Sequence, residues 1–244
     1  YNLKYSLKAY TMRINKFLAQ CGVAGRRACD KLVEEGRVTV NGKPADLGAD
    51  VSEADSIKVD GKPVSLKKNE YYILHKPKGY LCTVSDDKGR KTVMDILGSG
   101  VGRVYPVGRL DYDSEGLLIL TTDGELAQHL THPSNEVPKT YVAKVEGRLT
   151  EADLNPIRSG IEIEGGYFTK KCRAHIIETN KEYTKVELTL REGKNREIRK
   201  MFAAIGREVI LLKRTKVGEL TLRGLERGAF RKLSAEEVAY LKSI

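Results

Sequence analysis

From Met12 onward, Ile14, Phe17, Leu18 and Cys21 recur at three- and four-residue spacing, the signature of a helix with one apolar face, and Gly22 follows as a stop. A second helix is expected over residues 26–35, burying Cys29, Leu32 and Val33, with Gly36 as its left-handed closing residue. The rhythm then shortens. Val38-Thr39-Val40 runs into Asn41-Gly42, a β-branched strand entering a hairpin turn, and residues 57–64 repeat the arrangement around Asp60-Gly61. Two helices and small strands thus form a compact module over residues 12–66, and the polar stretch Leu66-Lys67-Lys68-Asn69 joins it to the rest.

Beyond the join, a catalytic-sized region of residues 67–244 alternates short strands with helices. Strands are expected at residues 71–74, 117–121, 140–145, 175–178 and 185–190, where β-branched and aromatic residues concentrate. Helices are expected at 124–130, 151–159, 196–205 and 235–242. Thr122 or Asp123 can cap the first of these, Thr150 precedes acidic residues suited to the start of the second, and Gly206 ends the third. The order does not repeat as βαβ units, and no glycine-rich loop follows a strand, so Rossmann and P-loop nucleotide enzymes are disfavoured. The expected class is α+β: a small helix and hairpin module, then a mixed, largely antiparallel sheet flanked by helices.

Composition adds a partner class. Lys and Arg number 43 against 33 Asp and Glu, a net charge of +10 that favours a polyanion without specifying one. No run approaches the ~18 apolar residues of a membrane span and no apolar leader core is visible, so a cytoplasmic protein is expected. Residues 1–11 precede the first regular pattern and are set aside as an extension outside the fold. Cys21, Cys29, Cys82 and Cys172 lie too far apart for a close zinc-binding pair, and His129 with His132, next to Pro133, reads as a helix end and not as a metal site.

Three segments concentrate chemistry. In Gly108-Arg109-Leu110-Asp111-Tyr112-Asp113-Ser114-Glu115-Gly116, Asp111 sits on a loop feeding the apolar run 117–120, a placement that can aim a carboxylate into a cleft. On its own it reads more readily as a turn-capping aspartate. Lys139-Thr140-Tyr141 puts Tyr141 on one strand face, equally suited to base stacking or to the core. Glu192-Gly193-Lys194-Asn195-Arg196-Glu197-Ile198-Arg199-Lys200 loads one end of an amphipathic helix with positive charge, which is as often a solvated face as a binding one.

The first module resembles the small RNA-binding module named after a small-subunit ribosomal protein, through Arg13-Ile14-Asn15-Lys16-Phe17-Leu18, Gly25-Arg26-Arg27 and Gly36-Arg37-Val38-Thr39-Val40-Asn41-Gly42. The three later segments, with His75-Lys76-Pro77-Lys78-Gly79 and Leu212-Lys213-Arg214-Thr215, are similar in order and spacing to the RsuA/RluB/RluE/RluF family of ribosomal RNA pseudouridine synthases. That resemblance spans residues 12–240. It implies isomerisation of a uridine with no cofactor, no metal and no nucleotide, by a monomer acting on ribosomal RNA. It assigns Asp111 as the catalytic carboxylate, Tyr141 as the stacking tyrosine, Arg199 as the basic partner of Asp111, Leu212 as an apolar pocket wall and Arg109 as a pocket residue.

From charge and position, Arg13, Lys16, Arg26, Arg27, Asn41 and Lys43 are expected to bind RNA in the small module, and Lys76, Lys139, Lys194 and Arg196 to form a phosphate rim around the pocket. Thr122-Asp123-Gly124-Glu125-Leu126-Ala127 and His132-Pro133-Ser134 look like the RluB-type, large-subunit branch. A small-subunit 16S target and a non-catalytic ribosome assembly factor are the alternatives.

Overall fold

The computed structural model describes residues 11–244, so the expected extension lies, apart from Thr11, outside the described residues. The chain divides into two compact units, Tyr1–Asn69 and Glu70–Ile244.

The first unit runs β1 (Met12–Arg13), α1 (Ile14–Gln20), α2 (Arg26–Glu34), β2 (Val38–Val40), β3 (Lys43–Pro44), β4 (Asp50–Val51), β5 (Ile57–Val59) and β6 (Lys62–Pro63). Ile14, Phe17 and Leu18 of α1 pack with Cys29 and Val33 of α2 and with Val38 and Ile57 beneath them. Full burial of each such aliphatic or aromatic side chain stabilises by roughly 1.5–3 kcal/mol, enough to explain why so short a segment folds around them. The four strands pair in the order β3-β2-β5-β6. Both hairpin turns take the doubly left-handed form that the strand twist favours: φ is 51° at Asn41 and 80° at Gly42, and 50° at Asp60 and 76° at Gly61.

The second unit runs β7 (Tyr71–Lys76), α3 (Val93–Leu97), β8 (Tyr105–Val107), β9 (Glu115–Thr121), α4 (Gly124–Thr131), β10 (Lys139–Glu146), α5 (Asn155–Ser159), β11 (Glu162–Ile163), β12 (Tyr167–Phe168), β13 (Arg173–Thr179), β14 (Tyr183–Leu190), α6 (Glu197–Ala204), β15 (Val209–Val217), β16 (Leu220–Thr221), β17 (Phe230–Lys232) and α7 (Ala235–Ser243). Its sheet is ordered β13-β14-β10-β15-β9-β7-β17, with β8 beside β9 and β16 beside β15. Among the described residues, β15 with β9 is the parallel contact in an otherwise antiparallel sheet.

β9 is buried along its whole length. Leu117 and Ile119 face α4 and α7, while Leu118 and Leu120 face α3, which is why residues 117–120 read as an unbroken apolar run. A further core unites β10, β14 and β15 with Ile198, Met201 and Phe202 of α6. At the parallel contact Gly116 has φ 118°, and a Cβ there would stand 2.2 Å from the Arg214 carbonyl oxygen. No other residue permits the two strands to approach so closely.

The structure adds short strands that were not expected, β8, β11, β12, β16 and β17, and departs further in three places. The nine-residue β15 was not expected, because Lys213, Arg214 and Lys216 interrupt its apolar pattern, yet it lies inside the sheet between β10 and β9. The helix expected over 151–159 is a 3-10 turn, Ala152–Leu154, followed by α5, which begins at Asn155 and carries Pro156 in its first turn. The five-residue α3 is too short to show a period and is held by a reciprocal cap between Thr92 and Asp95.

Candidate active site

The loop between β8 and β9 carries Asp111, and its shape is set by atoms buried beneath it. The Lys76 ammonium, with no exposed surface, donates to the carbonyls of Pro77 at 3.1 Å, Asp111 at 3.0 Å and Ser114 at 2.8 Å, satisfying all three of its protons. The Gly79 N–H donates to the Tyr112 carbonyl at 2.8 Å and the Ser114 N–H to the Asp111 carbonyl at 3.1 Å. Leu110 is buried, with its N–H 3.3 Å from the Cys82 sulfur. The backbone on both sides of Asp111 is therefore tied down, while its side chain retains 23% exposure toward the cleft.

Lys76 is thus not a rim cation. The strand that carries it ends under the loop, and three backbone carbonyls capture its charge before any phosphate could. Burial pushes its pKa below the ordinary lysine value, while the nearby Cys82, Asp111 and Asp113 act in the opposite direction.

Facing the loop is the segment between β14 and α6. Arg196 holds a left-handed backbone at φ 53° and ψ 30°, immediately before α6. Its guanidinium stands 3.8 Å from the Asp111 carboxylate and 3.2 Å from that of Asp113. Arg199, in the first turn of α6, reaches the same loop at Asp113, pairing with its carboxylate at 3.1 Å, and donates to the Val209 carbonyl at 2.7 Å. The cation beside Asp111 is consequently Arg196, not Arg199 as expected. The reason is geometric: Arg199 is anchored between the start of β15 and Asp113, and Arg196, the residue before α6, is the one that reaches the Asp111 carboxylate. Burial favours the neutral form of Asp113, but the hydrogen bonds and charges of Arg196 and Arg199 prevail and hold its carboxyl below the usual range.

Loop and segment enclose a cleft of about 480 Å³, with Tyr141 of β10, Leu190 of β14 and Leu212 of β15 in its lining, together with Arg109, Lys194 and Arg196. A smaller chamber of about 160 Å³ shares Gly108, Arg109, Tyr141, Glu192 and Gly193 with it and adds Lys139, Pro133 and Arg214. Tyr141 belongs to both spaces with its ring partly exposed, and Leu212, 6% exposed, lies beside it in the sheet's face. The volume suits a nucleobase with part of its sugar. Of the expected phosphate rim, Lys194 and Arg196 are exposed at the cleft. Lys139 is drawn inward, donating to the Val137 carbonyl, and burial with the nearby charge of Arg214 lowers its pKa to about 8.

In the first unit, Arg26, Arg27 and Lys43 are exposed, and α2 carries no acidic residue in its first turn to compete for an anion. Arg13 is exposed but engages Asp50 and the Gly48 carbonyl, and Lys16 on α1 is partly buried. Asn41 is committed to its turn: its amide donates to Asp55 at 2.8 Å and its oxygen accepts the Ser56 N–H at 2.9 Å, so bracing the hairpin replaces the expected RNA contact.

Two acids that sequence reasoning passed over also line the cleft. Glu192 and Glu197 are five residues apart, and an acid in the first turn of a helix ordinarily complements the dipole in solvent. Here Glu197 is 5% exposed. Burial, reinforced by Glu192 beside it, pushes its carboxyl up to about 8. Burial acts on Glu192 in the same direction, but the neighbouring Glu197 carboxyl together with hydrogen bonds from the Tyr167 hydroxyl and the Lys170 N–H holds it below the ordinary value. No signal in the sequence distinguishes this pair from surface acids. Among the described residues no cluster of three potential metal ligands occurs, and no helix is long and apolar enough to cross a membrane.

The geometry describes a base-sized cleft with a braced carboxylate, an adjoining arginine and a tyrosine ring, accompanied by a separate basic module. Comparison with known proteins agrees. Residues 12–57 match the S4 domain and residues 70–204 match the family described as RNA pseudouridylate synthase. The chain is 44% identical over 234 residues, 95% of its length and 96% of the relative's, to ribosomal large subunit pseudouridine synthase B of Bacillus subtilis. It is 38% identical to the protein of that name from Haemophilus influenzae, over 97% of this chain and 69% of the relative. A solved structure described as a pseudouridylate synthase superposes with a TM-score of 0.68 at 28% identity, covering 94% of this chain and 99% of that one. The chain belongs to the RNA pseudouridylate synthase family, in its RluB-type group with an amino-terminal S4 domain.

Proposed function

We propose that the chain converts one uridine of large-subunit ribosomal RNA to pseudouridine, acting as a monomer in the cytoplasm, with Asp111 as the reacting carboxylate. The observation that carries this reading is Asp111 itself, its backbone held by Lys76 and its carboxylate 3.8 Å from Arg196 within a cleft that also contains Tyr141. The names of the two pseudouridine synthase B relatives support the large-subunit target. A small-subunit target or a role without turnover is not favoured.

The reaction breaks the bond between the ribose C1′ and N1 of uracil, turns the base, and joins C1′ to C5, with a proton leaving C5 and one arriving at N1. Electrons balance within the nucleotide, so neither an oxidant nor a group donor enters. An ionised carboxylate suits work at the ribose, either by attack or by removal of a sugar proton. Extruding the uridine from its stack costs roughly a few kcal/mol. Stacking on Tyr141, at about 1–3 kcal/mol, offsets much of that. Arg109 and Lys194 then meet the flanking phosphates, and the S4 unit adds salt-sensitive attraction through Arg26, Arg27 and Lys43.

The test is Asp111→Ala assayed on ribosomal RNA fragments and on assembling particles, with pseudouridine mapped by carbodiimide reactivity. Turnover is expected to vanish while RNA affinity stays within about threefold, since the carboxylate opposes rather than assists phosphate binding. Retained modification would remove Asp111 from the chemistry, and modification confined to the small-subunit RNA would overturn the assigned target.

A further inference from the structure

The pair of half-buried Glu192 and buried Glu197 is a titratable feature that the chemistry above does not use, although both residues line the same cleft as Asp111. Their hydrogen bonding is asymmetric. Glu192 acts as an acceptor on both oxygens, taking the Tyr167 hydroxyl on Oε2 and the Lys170 N–H at 2.6 Å on Oε1, with lone pairs to spare. Glu197 accepts the Lys194 N–H at 2.8 Å on Oε2, while its Oε1 is buried and receives no donor. A carboxylate oxygen left bare in the interior is costly, whereas the same oxygen carrying a proton becomes the donor that the neighbouring Glu192 can accept.

The surrounding groups are consistent with one proton held between the two acids. Tyr167 of β12 faces Glu192, and Cys172, ahead of β13, lies near both. The phenol is pushed up to about 12 by its hydrogen bond to Glu192, and the thiol to about 11 by burial and the two acids, so neither contributes a negative charge near neutral pH. Lys170 reaches away to Glu136, and the Lys194 ammonium lies over the Tyr167 ring, 4.6 Å from its centre. Arg158 is the further cation on the Cys172 side.

The residues spanned by this pair are those that face Asp111. Glu197 takes the Lys194 N–H, the Glu197 N–H returns to the Lys194 carbonyl at 3.3 Å, and between them Arg196 holds its left-handed backbone. A non-glycine residue in that region stores on the order of 1 kcal/mol, which persists only where neighbouring contacts over-determine it.

We propose that Glu197 is a positioning residue that donates its acid O–H to Glu192, and that this link sets residues 193–196 so that Arg196 stands against Asp111. The inference rests on Asp111 as the reacting carboxylate. Glu197 touches no reacting atom and acts through Arg196. Above the pH at which it ionises, two adjacent carboxylates repel, the segment loosens and Arg196 leaves its place.

The discriminating variant is Glu197→Gln, whose amide N–H₂ can replace the O–H as donor but cannot ionise. At about pH 7 its kcat and KM are expected within about threefold of the parent, and Glu197→Ala is expected to lose about tenfold or more in kcat with less change in KM. Between about pH 7 and pH 10 the parent should lose kcat on an alkaline limb that the Gln variant lacks. Ionisation of the uridine affects both proteins equally and cancels in the comparison. Identical alkaline limbs, or a Gln variant as impaired as the Ala variant, would overturn the proposal. Carbon NMR of the glutamate carboxyls in the unsubstituted free protein gives an independent reading: one carboxyl should stay protonated at about pH 7 and titrate above it. Absence of such a carboxyl would also overturn the proposal, even if a variant failed to fold. The same titration in Asp111→Ala separates the two claims, because it should persist whether or not Asp111 is the catalytic group.

Discussion

The S4 unit and the catalytic cleft use the same two residue types in opposite ways. In the S4 unit Arg26, Arg27 and Lys43 stand in solvent on a preformed surface. Around the cleft Lys76 has no exposed surface, Arg214 retains 3% and the Arg199 side chain 14%, and each donates to backbone carbonyls. Exposed cations attract phosphate over a Debye length and weaken as salt rises. Buried ones act as multi-pronged donors that hold loops in place, and solvent salt scarcely reaches them. A basic composition therefore describes two arrangements, and only the surface one is open to a phosphate from outside.

The strongest challenge to this contrast is Lys76→Met, which keeps the stem and removes the ammonium. It strands the carbonyls of Pro77, Asp111 and Ser114, so a stability loss of roughly 2–4 kcal/mol is expected by denaturant titration. Turnover should fall by about 100-fold at unchanged salt dependence of binding, because the loop bearing Asp111 loses its support. If the substitution instead lowered RNA affinity with kcat intact, Lys76 would be a phosphate ligand after all.

A milder and complementary result is expected from Arg26→Ala combined with Arg27→Ala. Affinity should fall several-fold, and the slope of log affinity against log salt should flatten by about 0.7–0.9 for each phosphate that is no longer neutralised, with kcat at saturating RNA unchanged. A parallel drop in kcat would merge the two classes of cation that the structure separates.

A further expected effect concerns protons in place of RNA. Glu197 has its folded-state pKa raised from about 4.5 to about 8, so between those values the folded protein holds a proton that the unfolded chain has released. Its contribution is complete below about pH 4.5 and is lost as pH rises through about 8. His75 acts in the reverse sense on the acid side, since burial lowers its pKa and protonation below its ordinary value favours unfolding. Glu197→Gln retains His75, so subtracting its melting curves from those of the parent should leave a difference that changes across this window and is level above it. A flat difference throughout would mean that Glu197 is ionised like a surface acid.

Much of this arrangement was legible because it is local. Periodicity sufficed for α1, α2 and α6, since each buries one face at helical spacing. The Asn41-Gly42 and Asp60-Gly61 turns were legible because few other pairs adopt two successive left-handed residues. By contrast, β15 escaped notice because its cations are satisfied by partners distant in sequence: the Arg214 Nε reaches the Leu117 carbonyl at 2.7 Å, across the parallel contact that Gly116 permits.

Asp111, Tyr141 and Leu212 were named from motifs, and the structure brings them to one cleft because loop, β10 and β15 converge there. The sequence by itself determined the residue types in that cleft, the two-part organisation and the excess of positive charge. Tertiary structure decided which cation faces which acid. Lys76 became a strut, Arg196 rather than Arg199 came to stand beside Asp111, and Glu197 became a buried acid. A charged side chain's role depends on what shares its few ångströms of space and how much water is left there, and neither quantity is a property of neighbouring letters in the chain.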